Sequence, residues 1–291
     1  MTDLLDDMLA QVDRMADRID ALCAARQDAE FNEADHPRGQ PGNAGQFGPG
    51  GGSHVKPAEG AGGGDLPENN KASKPPRVYS QEYIENQAVK KFSRVKDLDQ
   101  QFTEVESQNE AARRDPKRRE VADCAALIMK MGVRPGSEKD TGAKVKAYGA
   151  TTLEGRHVVE TAEGVRLRFV GKKGVNINLL VDDKEIAAML LKRKKSAGSD
   201  GPLFSISEKA LLSHVHSLDH GNFMTKDFRT LLGTKTALRE VEKSPKPKDE
   251  KDYKKRVMAV AKTVAARLGN TATVALQSYI APEVFLVWRV T

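Results

Sequence analysis

Cysteine is nearly absent: the chain of 291 residues holds two, Cys23 and Cys124, in unrelated segments. That excludes a disulfide framework and a cysteine-based metal site, and it fits a reducing interior. Long apolar runs are missing too. None approaches the ~20 residues of a membrane-spanning helix, so no membrane role is expected. The first residues are acidic, with no basic segment leading into an apolar one, so no signal peptide is expected either. The glycine run Gly60-Ala61-Gly62-Gly63-Gly64 is no nucleotide-binding phosphate loop. No Gly-Lys-Ser/Thr follows it and no strand precedes it. The cluster His214-Val215-His216…His220 sets His216 and His220 on one helical face, but no acidic or cysteine partner is placed as a further ligand. No metal, nucleotide or other cofactor is therefore expected.

What the chain has is charge, distributed unevenly. Residues 1–76 hold 7 Lys+Arg and 13 Asp+Glu, a net of −6, and residues 77–291 hold 40 and 28, a net of +12. A basic body on an acidic tail points to a polyanionic partner, nucleic acid first.

Composition divides the chain in three. Leu5, Met8, Val12, Met15, Ile19 and Leu22 alternate spacings of three and four, which predicts an amphipathic, coiled-coil-like helix within residues 1–28. A lone helix this short cannot bury its seam, so self-association or docking on a partner through residues 3–26 is expected. Residues 29–76 read as a Gly/Pro-rich flexible linker. Within it, His36-Pro37-Arg38…Gly45-Gln46-Phe47 resembles short segments of phage virion proteins. Residues 77–291 read as one domain. Val89, Phe92, Val95, Leu98, Phe102 and Val105 stripe a helix from Tyr79 to Arg114, and a second helix runs to Met131-Gly132 with Val121, Cys124, Ala125, Ile128 and Met129 inward.

Residues 156–181 change period. His157-Val158-Val159, Val165–Val170 and Val175–Leu179 read as strands, the last two joined by the tight turn Gly171-Lys172-Lys173-Gly174. Helices are expected again at 183–195, 207–217, 225–242 and 250–268. Arg193-Lys194-Lys195 reads as a solvated or phosphate-facing run. The fold class is therefore mainly α with a small antiparallel β-sheet.

Six strings fall in an order that resembles a known family. They are Gly132-Val133-Arg134-Pro135-Gly136, Tyr148-Gly149-Ala150-Thr151-Thr152-Leu153, Phe169-Val170-Gly171-Lys172, Thr225-Lys226-Asp227-Phe228-Arg229-Thr230, and Leu268-Gly269-Asn270-Thr271 with Ser278-Tyr279-Ile280-Ala281-Pro282. Order, spacing and local structure resemble the small type IB DNA topoisomerases of bacteria and poxviruses over about residues 88–285. The resemblance implies the catalytic core shared with tyrosine recombinases, duplex DNA as partner, and strand cleavage through a 3′-phosphotyrosyl ester without ATP or metal. It implies Tyr279 as nucleophile, Arg134 and Arg229 as phosphate-binding guanidiniums, Asn270 as a neutral donor where many relatives have His, and Lys172 as general acid. Lys172 is preferred to Lys173 because the family's lysine directly follows the glycine of that string.

The chemistry suits the residue types. A nucleophile that stays attached conserves the bond energy of the cut strand. Guanidiniums can donate paired hydrogen bonds to nonbridging oxygens. A lysine can protonate the leaving 5′ oxygen. A tyrosine recombinase is the nearest alternative, but Lys226-Asp227-Phe228-Arg229 stands where recombinases usually show His-x-x-Arg. The other alternative is a non-enzymatic, virion-associated DNA-binding protein on the same scaffold. Against it, all five residues are present. The resemblance covers the catalytic domain; residues 1–76 are too weakly β-patterned to supply the N-terminal β domain of typical small members. The expected location is the cytoplasm or nucleoid of a bacterial or phage-infected cell, with packaging in a virion as the variant that the tail suggests.

Overall fold

A computed structural model describes residues 80–137, 145–218 and 222–288, with Ala10 and Arg14 of the N-terminal stretch. Leu5, Met8, Val12, Met15, Ile19 and Leu22, the seam expected within residues 3–26, all lie outside the described residues. So do the Gly/Pro-rich linker, both boundaries drawn at 28 and 76, and His220.

Helix α1 (Gln81–Arg114) starts at Ser80, whose hydroxyl accepts from Tyr83 N at 3.2 Å. It ends at Asp115, ahead of Pro116. The expected stripe is its inner face: Val89, Phe92, Val95, Leu98 and Val105 are buried, and Phe102 is half-buried beneath the Lys235 ammonium. Helix α2 (Arg119–Met131) is more enclosed than a single inner side predicts. Ala122 through Met129 are all buried, because its alanines let neighbouring helices close in.

The sheet is a meander of β1 (Val158–Thr161), β2 (Gly164–Val170) and β3 (Asn176–Leu180), antiparallel in chain order. Leu167 of β2 pairs with Val158 on one side and Leu179 on the other, and these alternate residues form the buried face. His157, expected as the first strand residue, instead closes a 3-10 turn (Gly155–His157), where its Nδ1 accepts from Glu154 N at 2.9 Å.

Helices α3 (Lys184–Ala197), α4 (Glu208–Ser217), α5 (Thr225–Lys243) and α6 (Glu250–Leu268) match expectation to within a residue or two. The short α7 (Ala272–Ser278) and the 3-10 stretch Pro282–Trp288 complete the described fold. Asp183, Ser207, Asp249 and Thr271 each accept from the first turn of the helix they precede.

Arg193-Lys194-Lys195, expected as a solvated or phosphate-facing run, is in part engaged within the fold. Asp123 of α2 is buried and requires a counter-charge. Arg193 of α3 supplies one at 2.6 Å and Arg113 of α1 another at 2.9 Å. Lys194 donates to Val158 O at 2.8 Å, so Lys195 is the exposed member of the run.

Two apolar cores result. One lies among α2, the sheet, α3, α4 and the start of α5; the other lies among α6, α7, the Pro282–Trp288 stretch and the far half of α5. Helices α1 and α5 belong to both, and the residues of interest gather where the two cores meet.

His214 of α4 belongs to this scaffold. Its Nε2 lies 2.8 Å from Asn109 Oδ1, and Asn109 Nδ2 donates to Ala122 O at 3.1 Å. Burial first, and Arg118 second, push the His214 pKa down from 6.5 to about 4. The folded chain therefore holds the ring neutral where the unfolded chain would protonate it. The stability this gives is complete above pH 6.5 and is lost as pH falls toward 4. Thermal melts across that window should show a steeper loss for wild type than for His214→Gln, which has no proton to take up. Equal slopes would remove His214 as the cause.

Candidate active site

The site is built on one buried arginine. Arg229, early in α5, is 4% exposed. Its Nη1 donates to the carbonyl of Gly132, and its Nη2 donates to Leu268 O at 2.5 Å. Those carbonyls are the C-terminal ends of α2 and α6, where the helix dipole places partial negative charge. Both helices end on a left-handed glycine, Gly132 at φ 63° and Gly269 at φ 62°. In each case the residue of interest follows at once: Arg134 two positions beyond Gly132, and Asn270 directly after Gly269.

Arg134 Nη2 donates to Asn270 Oδ1 at 3.2 Å, which turns the Asn270 amide nitrogen the other way. Its loop is held by the Tyr148-Gly149-Ala150-Thr151 string. Ala150 N donates to Arg134 O at 2.7 Å and Thr151 N to Pro135 O at 2.8 Å. Tyr279 ends α7, its N donating to Ala275 O at 2.9 Å. Its ring lies 4.9 Å from the Arg229 guanidinium carbon and 5.8 Å from that of Arg134. A Cβ at Gly233 of α5 would stand 2.5 Å from Tyr279 O, so only glycine lets the tyrosine sit this close to α5.

Lys172 comes from the turn between β2 and β3. Lys172 and Lys173 are both exposed at its tip, Lys173 with φ 63°. One cleft of about 330 Å³ is lined by Arg134, Lys172, Arg229, Asn270 and Tyr279 together. All five residues singled out in the sequence therefore meet in space. Lys173 lines the cleft as well, and among the described residues no carboxylate does.

Two donors in this cleft are unfilled. Arg229 Nε and Asn270 Nδ2 are buried and have no hydrogen-bond partner among the described residues. Buried donors are rarely left so, and together with the surrounding cations they describe a seat for an oxyanion. Arg229 differs from its expected role in one respect: both Nη atoms are engaged with backbone, which leaves Nε as its unpartnered atom. Burial pushes its pKa down to about 10; the Tyr279 hydroxyl opposes that and Arg134 adds to it. It remains a cation at neutral pH.

Residues behind the cleft went unnoticed in the sequence. Asp227, fully buried, accepts from Arg94 Nε at 2.6 Å and Nη2 at 2.9 Å, and from Met224 N at 2.9 Å. That anchors the first turn of α5 to α1. Lys91, one turn before Arg94, donates to Ser278 O at 2.9 Å. A signal was present: Lys91 sits four residues before Val95 and seven before Leu98, a position the apolar spacing reserves for the core.

The fold and this cleft belong together in one family. The family described as "Eukaryotic DNA topoisomerase I, catalytic core" matches residues 80–281, a span that includes all five cleft residues, and the chain belongs to that family. Over 221 residues it is 24% identical to DNA topoisomerase 1B of Acanthamoeba polyphaga mimivirus, covering 69% of this chain and 65% of that relative. The chain thus matches a little under two thirds of that relative's length.

The two arginines should differ in what they hold up. Arg229→Ala strands two helix-end carbonyls and should destabilise the domain by roughly 2–4 kcal/mol, the range for losing charged hydrogen bonds in a buried place. Arg134→Ala loses its bond to Asn270 and should cost under about 1 kcal/mol. Denaturant titration of both variants measures this; an Arg229→Ala domain as stable as wild type would contradict the bridging role.

Proposed function

We propose that this chain is a type IB DNA topoisomerase, relaxing supercoiled duplex DNA by transient cleavage of one strand. The observation that carries the reading is the cationic cleft where Tyr279 stands over Arg229, with the donors of Arg229 and Asn270 unfilled. A phosphodiester seated there brings its nonbridging oxygens to Arg229 Nε, Asn270 Nδ2 and the Arg134 guanidinium. The Tyr279 oxygen attacks phosphorus and its proton leaves to solvent. The bond from phosphorus to the 5′ oxygen breaks, and Lys172 gives that oxygen a proton.

The product is a 3′-phosphotyrosyl ester beside a free 5′ hydroxyl. While the cut end turns, torsional strain escapes. The 5′ hydroxyl then attacks the same phosphorus, the tyrosyl ester breaks and the strand is restored. One ester is exchanged for another in each direction, so the cycle needs no ATP. The net charge of +12 over residues 77–291 suits a duplex lying across the cleft.

Two experiments test this. Purified protein should relax positive and negative supercoils alike, without ATP and in excess EDTA; relaxation of one sign only, or a strict need for magnesium, would count against the mechanism. Lys172→Ala should slow cleavage by ~10²–10⁴-fold, the usual contribution of a general acid. A 5′-sulfur leaving group, which needs little protonation, should restore nearly the original rate. No rescue would transfer the acid role away from Lys172, and Lys173 would face the same assay.

A further inference from the structure

Beside the turn that carries Tyr279, and outside the residues that line the cleft, the chain places a further lysine. Lys91 lies on the inner side of α1 and is largely buried. Its Nζ stands 2.9 Å from Ser278 O and 4.0 Å from the centre of the Phe92 ring. Ser278 is the last residue of α7, so its carbonyl is one that the helix cannot satisfy internally. That carbonyl also belongs to the planar peptide unit whose nitrogen is Tyr279's own. A shift of the carbonyl therefore carries the Tyr279 Cα with it. Helix α5 holds the same turn through a second contact: Thr234 Oγ1 accepts from Ala281 N at 3.1 Å and donates to Tyr279 O at 3.4 Å. The turn is gripped by both α5 and the Lys91 ammonium.

We propose that Lys91 is a positioning residue for the nucleophile: its ammonium, bound to the Ser278 carbonyl, fixes the depth at which the Tyr279 phenol enters the cleft. Lys91 does not itself line the cleft and touches none of the five residues assigned to the chemistry; its contact is with the backbone of Ser278. It acts through one hydrogen bond at the negative end of α7, where a cation is electrostatically favoured. The arrangement also explains a buried lysine in an otherwise apolar stripe. Arg94 one turn later holds α5 through Asp227, so one edge of α1 locates both the turn carrying Arg229 and the turn carrying Tyr279.

The grip is sensitive to protonation. Burial pushes the Lys91 pKa down to about 8. Lys226 of α5 lowers it further, Asp227 of α5 opposes, and Arg94 on its own helix adds a smaller lowering. A neutral amine holds a carbonyl less strongly than an ammonium, so the positioning weakens as pH rises through that range.

This inference rests on the strand-cleaving reading above, and its test separates the two. Full-length wild type, Lys91→Met and Lys91→Arg are compared in single-turnover cleavage of duplex DNA from pH 7 to 9. DNA affinity and amide exchange around Tyr279 are measured on the same proteins. At pH 7 the Met variant should form covalent adduct about 10–100-fold more slowly, the cost of a small misplacement of a reacting group. Its DNA affinity should stay within about twofold of wild type, because no phosphate contact is removed. The Arg variant should recover most of the rate. The advantage of wild type over the Met variant should shrink as pH passes about 8, and the Tyr279 amide should exchange faster in the Met variant. The proposal is overturned by wild-type cleavage in the Met variant, by a loss that appears in DNA affinity instead, or by a rate ratio that does not change with pH. If wild type itself makes no adduct, the strand-cleaving reading fails, and amide exchange alone decides: unchanged exchange overturns the positioning role and faster exchange upholds it. Should Lys91→Met not fold, Lys91→Gln carries the same comparison.

Discussion

The guanidinium of Arg229 holds the architecture of the cleft together. It joins the ends of two helices that are far apart in sequence, Gly132 lying 97 residues away and Leu268 39 residues away. That bridge, together with the Arg134–Asn270 hydrogen bond and the bond from Arg267 to Lys130 O, holds the two loops to a shared reference. The same cation supports the Tyr279 ring, so one side chain sets the distances among three of the others. Burying a cation is costly, and the two helix-end carbonyls offset the cost while the helix dipoles reinforce the pairing. A residue of this kind has two functions, and its loss should be read in stability as well as in rate.

A scaffold that fixes its cations also fixes the shape of what they receive. Under the proposed function, donors already held in place need no rearrangement when charge develops on a bound phosphate, which is where preorganised electrostatics contributes most. The two apolar cores supply the stiffness behind this. Helices α1 and α5 run through both, and the contacts of Lys91, Arg94 and Asp227 attach the chemistry-bearing turns to that common frame. Lys172 stands apart from this frame, exposed on a hairpin tip.

Much of the fold was legible because local rules and burial agree. The 89–105 stripe, the alternation of β2 and the helix end at Met131-Gly132 each mark an element in the letters alone. Helix α7 was missed because seven residues carry too little periodicity, although Thr271 stands at its start as a cap. The inward turn of Arg193 was missed because its cause, the buried Asp123, lies on another helix. The five cleft residues were found through family resemblance rather than through pattern. Each is an ordinary residue in its own string, and what makes them a site is a set of long-range contacts. Arg229's backbone bonds and the grip of Lys91 are wholly tertiary, so no local spacing could announce them beyond the misfit of a charge in an apolar stripe.

The central claim is that Tyr279 becomes covalently joined to DNA. The direct measurement is to trap the adduct in denaturant, digest it, and identify by mass spectrometry the residue and the DNA end that are linked. The account expects the Tyr279 oxygen esterified to a 3′ phosphate. It also expects no adduct from Tyr279→Phe, which keeps every cation of the cleft and so keeps its affinity for DNA. An adduct formed by the Phe variant, or a linkage to a 5′ phosphate, would contradict it.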